Sequence, residues 1–300
     1  MPATLKDPRF TGVFTAIITP FTDDGAALHL ANLREQIEFQ AAGGVRGIVI
    51  NGTTGESPTL DHDELHTLAR EGLAHARRLG LLAILGTGSN ATAHAIANQK
   101  LARELGADAA LSVNPYYNKP TQEGLYRHFM AVADAAQIPI MLYNIPGRTG
   151  VALTPATIER LAAHPNIVAV KEATGSTDSA SEIIIRCPNV ALLSGDDSMT
   201  LPMMAVGGVG VVSVISNLVP DRLVRMCNAA NEGRLREAIA VHAGLFNLSR
   251  AMFLETNPIP LKAAMKMLRR DTGSLRLPMC EASSQTMTAV QAALVAAGVK

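Results

Sequence analysis

Residues 138–173 read IPIMLYNIPGRTGVALTPATIERLAAHPNIVAVKEA. The stretch opens with an apolar run (IPIMLYNI, 138–145), turns through Pro146, Gly147 and Gly150, continues as an amphipathic segment from Pro155 to Ala163, and returns to a second apolar run (IVAVKEA, 167–173). Neither run alternates polar with apolar residues, the mark of strands buried on both faces. Strand, helix and strand within so short a span predict a parallel βαβ unit.

The pattern extends in both directions. Upstream lie VFTAIITP (13–20), GIVIN (47–51), LLAILGT (81–87) and AALSVNP (109–115); downstream lie VALLSG (190–195) and GVVSVIS (210–216). Helical patterns separate them: Leu28 to Ala42, Asp61 to Leu79 with an Asp in the N-cap position, Ala91 to Leu105, Gln122 to Ala136, Ser176 to Arg186, Asp197 to Val206 and Pro220 to Asn231. Eight alternating units in roughly 215 residues predict a closed (β/α)8 TIM barrel. The alternative, a doubly wound open sheet, usually has GxGxxG after its first strand, and here that turn reads ITPFTDDG. Leu235 to Phe253, Ile259 to Leu268 and Glu281 to Ala297 add three helices without a strand. The expected organisation is a barrel over 1–232 with a C-terminal helical extension over 233–300.

Composition narrows the function. The 26 Lys and Arg balance 26 Asp and Glu, and aromatics are 4% with no Trp, which argues against a nucleic-acid partner. Hydrophobic residues at 48% support a large core. The uncharged run Leu201 to Pro220 approaches bilayer length, but Gly207, Gly208 and Gly210 divide it into a short helix and a buried strand, so no membrane association is expected. Cys187, Cys227 and Cys280 lie far apart without a CxxC, and the N-terminus lacks a signal-like apolar run; both point to a cytoplasmic location. His62 and His66 sit among acids at the start of a helix, where acids belong, so no metal is expected.

A barrel of this type places reactive groups at the carboxyl ends of its strands. Those ends read NGTTGES, NPYYNKP, YNIPGRTG, KEATG and SGDD. Lys171 follows Val168-Ala169-Val170 and so emerges from a buried strand. Such an amine can form a Schiff base with a carbonyl substrate, provided that burial lowers its pKa from about 10.4 towards neutrality. The alternative is a rim lysine paired with Glu172. Tyr143 and Tyr117 are candidate proton carriers for the dehydration of a carbinolamine, or packing residues with their hydroxyls in solvent. Thr53 and Thr54, between glycines, offer hydroxyls and close backbone N–H groups suited to a carboxylate. Arg148 is the residue type for bidentate carboxylate recognition, or else a surface loop cation. Gly207-Gly208-Val209-Gly210 precedes its strand rather than following it, which disfavours a phosphate cradle.

These motifs in this order resemble the dihydrodipicolinate synthase/N-acetylneuraminate lyase family of class I aldolases. The resemblance runs from GVFTAIITPF through GTTGES, NPYYNKP, YNIPGRTG, KEATG, SGDD and GVVSV to NPIPLKAAM. It implies a (β/α)8 barrel with a helical C-terminal region and no cofactor. It implies that Lys171 binds pyruvate, that Tyr143 transfers protons with Thr53 and Tyr117 as relay partners, and that Thr54 holds the pyruvate carboxylate. Gly195 and Val212 match positions lining the pyruvate pocket, with Asp196 beside them. Arg148 marks the synthase branch, in which the second substrate is L-aspartate 4-semialdehyde and the pathway leads to diaminopimelate and lysine. A paralogous pyruvate aldolase or dehydratase acting on a sugar acid or hydroxy keto acid would keep Lys171 and Tyr143. A noncatalytic sensor barrel would bind pyruvate without covalent capture. The family is expected to form homotetramers, with Tyr117 reaching a neighbouring subunit's site. Ser57, His62, Asn90 and Tyr116 match an inhibitory lysine site, but Leu65 replaces a usual histidine or polar residue and His94 stands where an acid would be, so weak lysine inhibition is expected.

Overall fold

A computed structural model of the chain describes residues 4–299. The strands are β1 (Gly12–Ala16), β2 (Gly47–Ile50), β3 (Leu82–Gly86), β4 (Ala109–Val113), β5 (Ile140–Asn144), β6 (Ile167–Glu172), β7 (Ala191–Ser194) and β8 (Gly210–Ser213). They follow one another in chain order around a closed barrel, and the registered pairs are parallel. The helices that follow the first strands are α1 (Leu30–Ala42), α2 (His62–Arg78), α3 (Thr92–Glu104) and α4 (Gln122–Ala136). Next come α5 (Pro146–Thr149), α6 (Pro155–Leu161), α7 (Thr177–Arg186), α8 (Thr200–Ala205) and α9 (Pro220–Asn231). The C-terminal helices are α10 (Leu235–Ala251), α11 (Ile259–Met267) and α12 (Ser284–Ala296). The TIM barrel with C-terminal helices is thus the fold that the alternating apolar runs predicted.

The predicted strand cores hold, and the runs overshoot their ends by one to a few residues. Asp61 caps α2 as expected: its carboxylate accepts the Glu64 N–H at 2.8 Å, while the Glu64 side chain accepts the Asp61 N–H at 3.3 Å. His75, Arg77 and Arg78 close the same helix where the macrodipole favours cations. Two features went unread. Residues 146–149 form a short helix rather than a plain turn, and the expected helix 197–206 splits into a 3₁₀ turn at Asp197–Met199 followed by α8.

The chain divides into two compact units, Met1–Gly12 with Ile84–Val212 and Val13–Ala83 with Ser213–Lys300. In the first, Leu125, Phe129, Ile140, Leu142, Leu161, Ile167, Val170, Ile183 and Leu192 form one buried cluster between strands and helices. In the second, Phe14, Ile17, Phe21, Leu33, Ile37, Ile48, Leu68, Leu248 and Leu261 are buried. Each such side chain contributes about 1.5–3 kcal/mol of transfer free energy. Close approach of elements demands glycine at Gly47, where a Cβ would lie 2.4 Å from the Leu82 carbonyl oxygen.

Candidate active site

In the first unit the site is built on adjacent strands. Tyr143 of β5 and Lys171 of β6 are register partners, so their side chains emerge side by side on one face of the sheet. The Lys171 Nζ lies 4.1 Å from the centre of the Tyr143 ring. Lys171 is 6% exposed. Burial pulls its ammonium down from 10.5 to about 7; Asp197 opposes the change and Arg148 reinforces it. Near neutral pH about half of such lysines are uncharged, against well under 0.1% of ordinary ones.

Glu172 is not the partner of Lys171. Successive strand residues face opposite ways, and the buried Glu172 carboxylate instead accepts the Asn144 side-chain N–H at 2.9 Å and the Thr174 backbone N–H at 2.8 Å. Its carboxyl is raised above the usual range, chiefly by burial. The alternative of a Lys171–Glu172 rim pair is therefore overturned. Asn144 extends the network by exchanging hydrogen bonds with the backbone of Leu153, at 2.9 and 3.2 Å. Asn114 reaches the Val151 carbonyl at 3.2 Å, and the Thr149 hydroxyl donates to the Val151 carbonyl at 2.7 Å, with the Ile145 carbonyl 3.0 Å away. These bonds fix both ends of the segment that presents Arg148, which is exposed in α5.

Gly195 has a spatial reason to be glycine. A Cβ there would lie 2.7 Å from the Ala173 Cβ and 3.2 Å from Lys171 Cε and Cγ, so any side chain would clash with Ala173 and crowd the lysine. Val212 is buried in β8. Asp196 caps the turn after β7, accepting the N–H and hydroxyl of Ser198 at 2.9 Å. Its neighbour Asp197 is the buried acid facing Lys171 electrostatically. Sequence reading fixed on Asp196 and did not single out Asp197, although SGDD offered both. Tyr117 stands apart from this cluster: it is 90% exposed and held at a left-handed φ of 72°.

In the second unit Thr53 and Thr54 follow β2 in a tight turn closed by Gly55 N–H to Gly52 carbonyl and Glu56 N–H to Thr53 carbonyl bonds, both 3.1 Å. Thr54 is buried, and its hydroxyl oxygen accepts the Asn257 side-chain N–H at 2.9 Å. Asn257 opens NPIPLKAAM, a motif that marked the family without suggesting a role. Among the described residues no cluster of three or more His, Cys, Asp and Glu has the geometry of a metal site. No helix there is long and apolar enough to cross a membrane.

Residues 9–297 match the sequence profile of the dihydrodipicolinate synthetase family. The chain belongs to that family. The 4-hydroxy-tetrahydrodipicolinate synthase of Pelobacter propionicus is 47% identical over 285 residues, covering 94% of this chain and 97% of that protein. That of Methanocaldococcus jannaschii is 48% identical over 277 residues, covering 92% and 94%. The crystal structure of dihydrodipicolinate synthase from Aquifex aeolicus superposes with a TM-score of 0.94 at 43% identity, covering 97% of this chain and 99% of that one. Relatives of this closeness support the activity that the motifs implied, that of a lyase of the dihydrodipicolinate synthetase family in lysine and diaminopimelate biosynthesis.

Proposed function

We propose that this chain condenses pyruvate with L-aspartate 4-semialdehyde through a Schiff base on Lys171. The observation that carries this reading is a buried lysine brought to about 7 beside a tyrosine. The neutral amine adds to C2 of pyruvate. The carbinolamine loses water to become an imine, and loss of a C3 proton gives an enamine. C3 then bonds to the aldehyde carbon, the aldehyde oxygen takes a proton, and the substrate's amino group attacks C2 and expels the Lys171 amine as the ring closes. The product is 4-hydroxy-tetrahydrodipicolinate.

Tyr143, packed on the lysine, carries the protons of these steps, with Thr53 and Tyr117 as relay partners. Thr54 binds the pyruvate carboxylate, and Gly195 and Val212 line the pocket. Arg148 binds the carboxylate of the semialdehyde, bidentate recognition being the strength of its planar guanidinium. A left-handed backbone is unfavourable for a tyrosine, and the exposure of Tyr117 suits a side chain completed by a second copy of the chain, as in a homotetramer. Residues 1–232 carry the chemistry, 233–300 form the helical companion, no cofactor takes part, and the enzyme works in the cytoplasm.

The decisive experiment is borohydride reduction in the presence of pyruvate, followed by mapping of the adduct. An adduct on Lys171 is expected; one on another lysine, or none, removes the mechanism. Turnover with aspartate semialdehyde, set against cleavage of sugar acids and hydroxy keto acids, separates the synthase from a paralogous aldolase.

A further inference from the structure

The turn after β2 is strained at its Glu56 end. Glu56 has φ 53°, a left-handed backbone that its side chain disfavours and that persists where surroundings over-determine it; Asn51, with φ 60°, is of the residue type that tolerates this region. The restraint comes from the C-terminal region. Lys262 of α11 is 0% exposed. Its Nζ lies 2.5 Å from Glu56 Oε1 and donates to the carbonyls of Thr19 at 2.9 Å and Ser274 at 2.8 Å. The ammonium thus meets one carboxylate oxygen and two carbonyl oxygens. The other Glu56 oxygen accepts the Arg276 backbone N–H at 3.1 Å, and the Thr19 hydroxyl donates to the Gly55 carbonyl at 2.6 Å. Glu56 is thereby pinned from two sides and Gly55 from a third.

Asn257 adds chemical polarity. A hydroxyl has one proton to give and two lone pairs. With the Asn257 N–H arriving at its oxygen, the Thr54 hydroxyl is set to donate. A carboxylate accepts and cannot donate, so a Thr54 held in this state matches a carboxylate ligand.

We propose that Asn257 and the buried Glu56–Lys262 pair are positioning residues for pyruvate: the pair pins the turn, and Asn257 orients the Thr54 hydroxyl as a donor to the substrate carboxylate. This rests on Thr54 being the carboxylate ligand. In this role Asn257 and Lys262 act through the turn, by their contacts with Thr54 and Glu56.

The test is steady-state kinetics on Asn257→Ala, Thr54→Val and their double variant. Asn257→Ala raises the KM for pyruvate about tenfold, the loss expected when one hydrogen bond to a charged group is disordered, and leaves the KM for the semialdehyde within about twofold. The double variant binds pyruvate no worse than Thr54→Val alone. Effects of the two substitutions that multiply overturn the role of Asn257. Borohydride trapping of the unaltered enzyme separates the two failures. If no Lys171 adduct forms, the reading of the site falls; if the adduct forms and the pyruvate KM of Asn257→Ala is unchanged, only the positioning role falls. For the pair, Lys262→Met leaves a buried carboxylate without its partner, so the neutral double variant Glu56→Gln/Lys262→Met is assayed beside it. It is expected to fold and to raise the pyruvate KM at least about threefold, with the semialdehyde KM unmoved. An unaltered pyruvate KM overturns the role of the pair.

Discussion

Lys171 and Lys262 are both withdrawn from water, one in each compact unit, and they serve opposite ends. Burial lowers the pKa of both. At Lys262 a carboxylate in direct contact and two carbonyls replace the lost hydration, and Glu56 and Asp271 pull against the burial. That amine is a clamp, ion-paired and hydrogen-bonded on its buried side. At Lys171 the one acid that helps, Asp197, is opposed by Arg148, and burial dominates. The amine is left near neutrality and nucleophilic. Burial alone therefore does not make a reactive lysine; the difference is whether the desolvated nitrogen is given a counter-charge and acceptors.

The contrast breaks first at the nitrogens themselves. Lys171→Met removes the proposed nucleophile and is expected to lower turnover by on the order of 10⁴-fold or more, as loss of a covalent catalyst does. A pyruvate adduct surviving in that variant, read by mass after reduction, would mean that the wrong lysine was chosen. Lys262→Met is expected to destabilise by about 3–5 kcal/mol, because it leaves Glu56 buried and unpaired. Urea denaturation reads this directly, and pairing the change with Glu56→Gln should recover most of the loss. A single variant as stable as the parent would show that Glu56 is not held by this lysine.

Sequence pattern revealed one of these lysines and hid the other. Lys171 ends an apolar strand at the barrel's reactive end, where a polar residue is already conspicuous. Lys262 stands in IPLKAAM, which reads only as part of a helix, because Glu56 and Thr19, two of its partners, lie far off in the chain; the comparable Asn257–Thr54 bond spans 203 residues. Local pattern reports strands and helices because their periodicities are local. It gave the eight strand cores and the Asp61 cap for that reason. It did not give the division of labour within KEATG, in which Lys171 and Glu172 face opposite ways, nor the choice between Asp196 and Asp197, which depends on how the turn folds. Arg148 was legible as a residue type, whereas the Asn144–Glu172 network that presents it was not.

Tyr143→Phe sharpens the reactive side. The ring still packs against Lys171, so the lysine should still trap pyruvate, while kcat falls about 10²-fold through loss of the proton carrier. A variant with full turnover would move the proton transfers to another group.

The pH profile is a finer measure of the same balance. The reactive amine is the deprotonated form, so kcat/KM for pyruvate should fall as pH drops below about 7, the value to which Lys171 is brought, and level off above it. Arg148 pushes that value down and Asp197 pulls it up. Arg148→Ala should therefore move the acidic limb to higher pH, and Asp197→Asn to lower pH. Shifts in the same direction, or none, would mean that these charges do not tune the amine.

A third amine, free lysine, extends the rule to a ligand and gives the smallest expected effect. By the family resemblance, an inhibitory lysine site would hold His94, which is exposed here, in place of an acid and Leu65 in place of a usual histidine or polar residue. A lysine ammonium bound there would lose hydration without gaining a carboxylate, the situation that at Lys171 expels the charge. A ligand that can stay charged in water stays there instead. Lysine near one millimolar is therefore expected to leave turnover within about twofold, and His94→Glu to increase its inhibition by up to about fivefold, the worth of one exposed ion pair. Strong inhibition of the unaltered enzyme would show that hydrogen bonds alone can hold the ammonium. The counter-charge that separates Lys262 from Lys171 would then not govern amine binding in this protein.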